Sequence, residues 1–199
     1  MPIIRGEKLM LVGDPQQLKP VILLDELTNR KLRRKYHVAD EYDYRENSIY
    51  KTYLACDAVS DEILLRNHYR CNKKIIDFNN KKYYNSKLQV QSDSRERQPL
   101  VYVNVDGGPG DMKNTSPAEV EEIMRYAGEN PDKSIAVITP FVNQRILIER
   151  GIKENGFEHV VCGTVHAFQG DEKDVVLFST ALSDRTGKGT YDWLKNNKE

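Results

Sequence analysis

Polar side chains follow four short apolar runs of this sequence. They are Asp14, Gln16 and Gln17 after the first run, Arg70 after the second, Thr139 after the third and His166 to Glu172 after the fourth. A neutral amide both donates and accepts hydrogen bonds, so a glutamine can position a water or sense a phosphate oxygen. The planar fork of an arginine also suits a phosphate. Together these residue types indicate chemistry on phosphate groups.

Each of these segments also has an ordinary structural interpretation. Residues 13–15 could form a plain turn, and Arg70 could form a surface ion pair. The segment 168–172 could be a turn followed by a helix cap with a solvated glutamate. His68 and Cys71 are close enough in sequence to suggest a thiol nucleophile, but a Cys-His pair without an orienting group is weak evidence for one.

Composition limits the possible partners and compartments. The 199 residues are 39% hydrophobic and 30% charged, which is typical of a globular protein. Thirty basic and thirty acidic side chains give no net charge, so any contact with a nucleic acid must be local. No run reaches the roughly 18 apolar residues of a membrane span, and residues 1–5 lack the apolar core of a signal peptide, so we expect a cytoplasmic location and no membrane partner.

Three cysteines are spread along the chain without C-x-x-C spacing, at Cys56, Cys71 and Cys162. This spacing argues against a disulfide scaffold and against a zinc site, and we interpret all three as reduced and structural. A basic cluster at 30–35 is interpreted as a solvated helix face rather than a phosphate site.

The elements that must position the polar residues are strands alternating with helices. Six apolar runs predict strands, at 9–12, 63–65, 100–105, 135–139, 160–165 and 175–180. Most of 25–59 should be helical, a further helix should carry Ile75, Ile76 and Phe78, and 89–98 should be a surface loop. This alternation predicts an α/β fold with a largely parallel sheet, in which ligands bind at the carboxyl ends of the strands.

Two helices have clear end signals. Ser116-Pro117-Ala118-Glu119 has the pattern of a capping box with proline at the first helical position, and apolar residues continue at helical spacing to Ala127. The segment 141–155 also has helical spacing and ends at Gly156.

Taken in order, the polar segments resemble motifs of the superfamily 1 helicases, closest to the 5′-to-3′ branch that includes the nonsense-mediated-decay helicase. Residues 11–20 resemble motif III, and residues 65–70 resemble motif IV. Residues 138–141, together with Gln144, resemble the second-domain segment that contacts the nucleic-acid backbone. Residues 163–176 resemble motif V. The resemblance implies a RecA-like (P-loop NTPase-type) parallel sheet flanked by helices. It also implies that 1–61 form the C-terminal part of the first RecA-like domain with a linker, and that 62–199 form the second domain, stopping before motif VI.

The resemblance implies three sets of site residues. The catalytic residues are Gln17, which would read the γ-phosphate, and Arg70, which would reach the nucleotide phosphates. The nucleotide-binding residues are Gly13, Asp14, Gly170 and Glu172. The nucleic-acid-binding residues are Thr139, Thr164, His166 and Gln169.

The implied function is that of an ATP-dependent helicase using ATP with Mg²⁺, of which this chain would be a part. The phosphate loop G-x-x-x-x-G-K-[ST] does not occur in the sequence. The Asp-Glu pair that would hold magnesium and activate water is expected on a strand before the run at 9–12, and it is not found there. Gly187-Lys188-Gly189-Thr190 echoes the loop but lacks its first glycine and follows no strand. We therefore expect the chain alone to be inactive, with the rest of the helicase core acting in cis.

The expected partner is single-stranded nucleic acid. DNA is favoured over RNA, and RNA stays open because contacts that follow a strand are made mainly to phosphate and sugar. The alternative is a nucleic-acid or protein-binding module that retains the helicase fold without hydrolysing ATP.

Overall fold

The computed structural model describes residues 7–8, 10–17, 22–56, 63–92, 96–108 and 110–196. These residues form two compact units, Met1–Tyr102 and Val103–Glu199. Each unit combines helices with parallel strands, so the predicted α/β class with parallel sheets flanked by helices is confirmed. The predicted domain boundary between 61 and 62 lies outside the described residues.

The first unit has three helices and a two-stranded parallel sheet among its described residues. The elements are α1 (Glu26–Tyr36), a 3₁₀ turn (Asp40–Tyr42), α2 (Ile49–Cys56), β1 (Asn67–His68), α3 (Lys73–Tyr83) and β2 (Gln89–Val90). Asn67 is paired with Gln89 and His68 with Val90. The Asn72 side chain caps α3 by accepting the Lys74 N–H at 2.9 Å. The helices expected within 25–59 are therefore present as α1 and α2.

Two strand predictions in this unit are wrong over the described residues. Residues 10–12 belong to no strand, and Met10 and Val12 are 88% and 82% exposed, because no described residue forms ladder hydrogen bonds with them. Residues 63–65 are also outside the sheet, and pairing begins only at Asn67. The expected surface loop at 89–98 begins with a strand instead, because the parallel ladder forms through backbone groups and tolerates the exposed side chain of Gln89.

The second unit contains a three-stranded parallel sheet. The elements are α4 (Pro117–Glu129), β3 (Ile135–Ile138), α5 (Val142–Asn155), β4 (Val160–Gly163), a 3₁₀ turn (Val165–Phe168), β5 (Val175–Phe178) and α6 (Lys188–Asn196). The strand order is β4-β3-β5, and Ile135 is in register with both Val160 and Val175. Three of the predicted strands and both end-capped helices are thus confirmed.

The core of the second unit lies where α4 and α5 pack on the sheet. It consists of buried side chains from α4, α5, β3 and β4, namely Ile123, Ala127, Ile148, Ile135, Val137 and Val160. The central strand β3 is buried from Ile135 to Val137, as expected for a parallel strand with neighbours on both sides. In the edge strand β5, Val175 and Leu177 pack on this core, whereas Val176 and Phe178 are exposed.

The predicted strand at 100–105 is wrong. Residues 100–105 form no strand, and Tyr102 is 87% exposed. Alternation of apolar and polar residues fits a strand with one buried face, but it cannot supply the neighbouring strand that such a ladder needs. Among the described residues, no helix is both long and apolar enough to cross a membrane.

Candidate functional site

The Asp14 carboxylate organises the loop that follows the first apolar run. It accepts hydrogen bonds from the Gln16 backbone N–H at 2.9 Å and from Gln17 Nε2 at 3.2 Å. It also accepts the Tyr84 hydroxyl, just past the end of α3, at 2.6 Å. The structure therefore brings two predicted site residues, Asp14 and Gln17, into direct contact and ties their loop to α3.

Gly13 and Tyr84 fix the surroundings of that loop. A Cβ atom on Gly13 would lie 2.7 Å from Cδ2 of the Tyr50 ring, so the close approach requires glycine. Burial raises the pKa of Tyr84 to about 12, and its hydrogen bond to Asp14 and the carboxylate charge act in the same direction. Tyr84 therefore remains a neutral donor to Asp14 across the physiological pH range.

Arg70 lies in a short turn between β1 and α3. The residue is exposed, and its neighbours His68 and Cys71 are partly buried. His68 Nε2 accepts the Cys71 backbone N–H at 3.2 Å and lies 3.2 Å from Cys71 Sγ. The structure thus places the predicted phosphate-binding arginine within a turn closed by a side chain to backbone hydrogen bond.

The pKa shifts in this turn argue against a thiol nucleophile. Burial, followed by the charge of Arg70, lowers the pKa of His68 below its usual 6.5. Burial raises the pKa of Cys71, and the Arg70 charge only partly opposes it. A nucleophilic cysteine requires its thiolate form, whereas here the protonated thiol is favoured, so the pair has the properties of a structural contact.

In the second unit, the carboxyl ends of the parallel strands bring several polar residues to one end of the sheet, which we call the carboxyl edge. The Thr139 N–H donates to the Gly163 carbonyl oxygen at 3.2 Å, and the Ser179 N–H donates to that of Ile138 at 2.9 Å. Thr139 is completely buried, and its hydroxyl oxygen accepts the Phe141 N–H at 3.4 Å. Thr164 is half-buried at the same edge. Polar residues therefore do meet at the carboxyl edge, as the sequence predicted, but the Thr139 hydroxyl is directed into the protein.

The 3₁₀ turn after β4 folds back onto the strand that precedes it. A Cβ on Gly163 would lie 2.9 Å from Ala167 Cβ and 3.0 Å from the Phe168 ring, so only glycine fits beneath the turn. His166 and Gln169 are exposed on this segment. The close packing under Gly163 thus fixes the backbone that carries two predicted nucleic-acid contacts.

Gly170 and Glu172 lie farther along, on the crossover that returns the chain to β5. Gly170 has φ of 87°, a left-handed conformation that favours glycine. Asp174 closes the crossover at the opposite sheet edge, where its carboxylate accepts both the N–H and the hydroxyl of Ser134 at 2.8 and 2.7 Å. Gly170 and Glu172 therefore belong to the connection that runs from the carboxyl edge to the opposite end of the sheet, whereas Thr164 belongs to the carboxyl edge.

A buried polar network supports the carboxyl edge, and its contacts were not predicted from the sequence. The Ser179 hydroxyl donates to Glu119 Oε2 at 2.6 Å, and the Ala181 N–H donates to the same oxygen at 3.1 Å. Gln144 is completely buried, donates to the Ser179 hydroxyl at 3.0 Å and accepts the Ser116 N–H at 2.8 Å. These contacts join the first turns of α4 and α5 to the exit of β5.

This network corrects the expected capping box. The Ser116 side chain does accept the Glu119 N–H, at 3.3 Å, as a cap should. In a complete box the glutamate would accept the Ser116 N–H, but Gln144 takes that hydrogen bond and Glu119 turns to the β5 exit. In the sequence, Gln144 belongs to a segment that resembles a nucleic-acid contact, whereas the structure buries its side chain completely. Its position four residues before Ile148, on the buried face of α5, is the sequence signal for this structural role.

Four of the predicted site residues, Gly13, Asp14, Gln17 and Arg70, lie in the first unit, and the other six lie in the second. Across the described residues, no group of three or more His, Cys, Asp or Glu side chains is arranged to hold a metal ion.

Comparison with known proteins identifies the family. The family model described as AAA domain matches residues 45–198. Mouse 3'-5' exoribonuclease HELZ2 is 27% identical over 95% of this chain, which spans 7% of that protein. The uncharacterized ATP-dependent helicase MJ0104 of Methanocaldococcus jannaschii is 26% identical over 94% of this chain, which spans 30% of that protein. Mouse RNA helicase Mov10l1 is 26% identical over 98% of this chain, which spans 19% of that protein. The chain therefore belongs to the AAA domain family and carries the second half of a superfamily 1 helicase core.

Proposed function

We propose that this chain forms part of an ATP-dependent helicase, to which it contributes a phosphate sensor, an arginine finger and a stretch of nucleic-acid track. One observation carries the proposal: three of the four motif segments have a polar residue directly after or close to the end of a strand, namely Arg70 after β1, Thr139 after β3 and Thr164 after β4. Ligands of open α/β sheets bind at these carboxyl ends. The proposed activity takes place in the cytoplasm.

Gln17 is proposed to sense the γ-phosphate through its amide. Asp14 accepts a hydrogen bond from Nε2, which anchors one end of the amide group. The Oε1 atom can then accept a hydrogen bond from a water that attacks the phosphorus, and the anchored amide fixes the direction of that hydrogen bond. Because phosphoryl transfer depends mainly on positioning, a change in this anchor should alter the rate more than nucleotide affinity.

Arg70 is proposed to neutralise charge on the transferred phosphoryl group. Its guanidinium is always charged and presents a planar set of donors that matches phosphate oxygens. The charge that it stabilises is greatest in the transition state, so its contribution should appear mainly in kcat.

Thr164, His166 and Gln169 are proposed to hold a single strand through its backbone. Hydroxyl, imidazole and amide groups bind phosphate and sugar without reading base sequence, as a translocating protein requires. Thr139 lies at the same edge, but its side chain is completely buried and its hydroxyl oxygen accepts a hydrogen bond from the Phe141 N–H, so we leave this predicted residue out of the proposed track. The preference for DNA over RNA remains a prediction from the sequence.

Magnesium would accompany ATP and neutralise phosphate charge, but the described residues do not fit a magnesium site. The Asp14 carboxylate is already occupied by hydrogen bonds from Gln16, Gln17 and Tyr84. We therefore assign no step to a metal held by these residues, and the steps assigned here need only the side chains named.

The test is ATP turnover by the natural protein, meaning the full-length protein of which this chain is proposed to form part. Turnover is measured with and without single-stranded DNA or RNA of equal length. We expect a single strand to stimulate turnover, and His166→Ala to raise the strand concentration needed for half-maximal stimulation. Lys188→Ala, in the segment that echoes a phosphate loop, is the control and should leave turnover unchanged, since Lys188 begins the exposed helix α6.

The second candidate is a nucleic-acid or protein-binding module that retains the fold without ATP hydrolysis, and a full-length sequence without a phosphate loop would favour it. Strand binding by the natural protein without any ATP turnover would establish this candidate and contradict the helicase proposal.

A further inference from the structure

The segment that carries Arg70 is held at both ends. The His68 carbonyl oxygen accepts the Gln91 N–H at 2.8 Å, which fixes His68 in the β1-β2 sheet. Asn72 caps α3 by accepting the Lys74 N–H at 2.9 Å, and its side-chain amide donates to the Glu96 carbonyl oxygen at 3.1 Å. The intervening residues 69–71 must therefore bridge two anchored positions.

A histidine closes this bridge from the inside. His68 Nε2 accepts the Cys71 N–H at 3.2 Å, so the side chain of one end binds the backbone at the other. Because Nε2 is the acceptor, the imidazole proton must reside on Nδ1. We use the term His68–Cys71 turn for residues 68–71 closed in this way.

We propose that neutral His68 is a positioning residue for Arg70, because its Nε2 lone pair closes the turn that presents the guanidinium. The inference rests on the proposed role of Arg70 in phosphoryl transfer and adds a requirement to it. A proton on Nε2 would remove the acceptor for the Cys71 N–H and would place a second positive charge close to Arg70. Acid should therefore loosen the turn and displace the arginine.

The surroundings of His68 favour the neutral form. The charged and titratable groups that act on the imidazole in the described structure are the Arg70 guanidinium and the Cys71 thiol. On the neighbouring strand, Val90 and Gln91 carry no charge, and from α3 the Lys74 ammonium is directed to the Arg97 carbonyl oxygen, at 3.0 Å. Burial and the Arg70 charge both lower the pKa of His68, so the turn should be closed at pH 7.

The experiment measures ATP turnover by the natural protein and its variants across pH 5 to 8. In His68→Gln, the amide oxygen replaces the Nε2 acceptor and does not titrate, whereas His68→Leu removes the acceptor. We expect His68→Leu to lower kcat about tenfold or more at every pH, with KM for ATP changed less than about twofold, since the arginine acts in the transition state. His68→Gln should keep kcat within about threefold at pH 7.5 and lose the fall in rate on the acid side.

Cys71→Ser is the matched control, because it retains the backbone N–H that His68 accepts. It should keep both the rate and the acid-side fall. Denaturant unfolding of each variant, measured in parallel, checks that the first unit is folded.

Two results would overturn the inference while leaving the proposed function intact. In the first, Arg70→Ala is inactive but His68→Leu is fully active. In the second, His68→Gln keeps the wild-type fall in kcat at acid pH. A fully active Arg70→Ala variant would instead refute the proposed role of Arg70, and the positioning role with it. Nitrogen-15 spectra of the imidazole provide a check independent of activity, since a neutral His68 with its proton on Nε2 would also refute the inference.

Discussion

Asp14 and Gln17 show how a loop can prepare a side chain for chemistry before a ligand arrives. One carboxylate accepts from Gln17 Nε2, from the Gln16 backbone and from the Tyr84 hydroxyl. Anchoring one end of an amide lowers the entropy that must be lost when its other end contacts a phosphate or a water. The position of Gln17 therefore depends on Asp14 and, through it, on α3.

Gln17→Ala in the natural protein should uncouple nucleic-acid binding from ATP turnover. The variant loses the amide that senses the γ-phosphate, so we expect nucleotide affinity within about twofold of wild type and stimulation by a single strand reduced about tenfold or more. Steady-state turnover over a range of strand concentrations measures both. Gln16→Ala is the matched control, since Gln16 binds Asp14 through its backbone, and normal stimulation of the Gln17 variant would remove the sensor role.

Tyr84 should make the stability of the first unit depend on pH in the alkaline range. Its pKa in the folded protein is raised to about 12 from the usual 10, so the neutral phenol is favoured by folding. A raised pKa means that the associated stability is complete below pH 10 and is lost as pH rises from 10 to about 12. Denaturant unfolding between pH 9 and pH 12 should show this loss, and Tyr84→Phe should flatten it; an unchanged slope in the variant would assign the titration to another group.

At the scale of elements, the 3₁₀ turn after β4 depends on the absence of a side chain at Gly163. In Gly163→Ala, the added Cβ would meet Ala167 and the Phe168 ring at 2.9 and 3.0 Å. We expect a loss of about 1–3 kcal/mol in unfolding free energy and weaker strand binding, because the turn that carries His166 must move. Gly187→Ala is the control, since nothing lies within 4 Å of a Cβ there, and equal stability and strand binding of the two variants would refute the packing argument.

The link between α4 and the exit of β5 depends on Glu119. Glu119→Ala leaves the Ser179 hydroxyl and the Ala181 N–H without their acceptor, so we expect a loss of about 1–3 kcal/mol in unfolding free energy. Glu121→Ala removes an exposed carboxylate from the same helix and should cost less than about 0.5 kcal/mol. Denaturant midpoints of the two variants provide the comparison, and equal midpoints would mean that the network does not stabilise the fold.

The sequence predicted elements whose signals are local. The continuous run at 135–138, the Ser116 cap and the terminating Gly156 each identify an element without reference to distant residues, and all three are present. The runs at 9–12 and 100–105 have similar apolar content, but a strand also requires a partner, and no described residue pairs with them.

The contacts within the site were beyond sequence reasoning because they join residues far apart in the chain. Tyr84 binds Asp14 across 70 positions, and Gln144 binds Ser179 across 35. Residue type and position after an apolar run were sufficient to identify Asp14, Arg70 and His166 as candidates. Which partner each side chain would find depends on the packing of whole elements.

At the scale of the whole molecule, the absence of net charge agrees with a protein that binds a strand through a few local contacts. A large positive charge would give tight, salt-sensitive binding along the whole surface, whereas a translocating protein must release each phosphate in turn. The chain distributes its proposed roles between its units: residues for the nucleotide occur in both, and residues for the strand occur in the second.

The most direct test of this account is ATP-driven strand separation by the natural protein, compared among wild type, Arg70→Ala and Arg66→Ala. Arg66 is an exposed arginine just before β1, so its variant removes the same charge four residues away and should unwind normally. We predict that Arg70→Ala lowers the unwinding rate about 100-fold or more and leaves single-strand affinity within about twofold of wild type. Unwinding by Arg70→Ala at the wild-type rate, or an equal loss of unwinding and strand binding, would contradict the account.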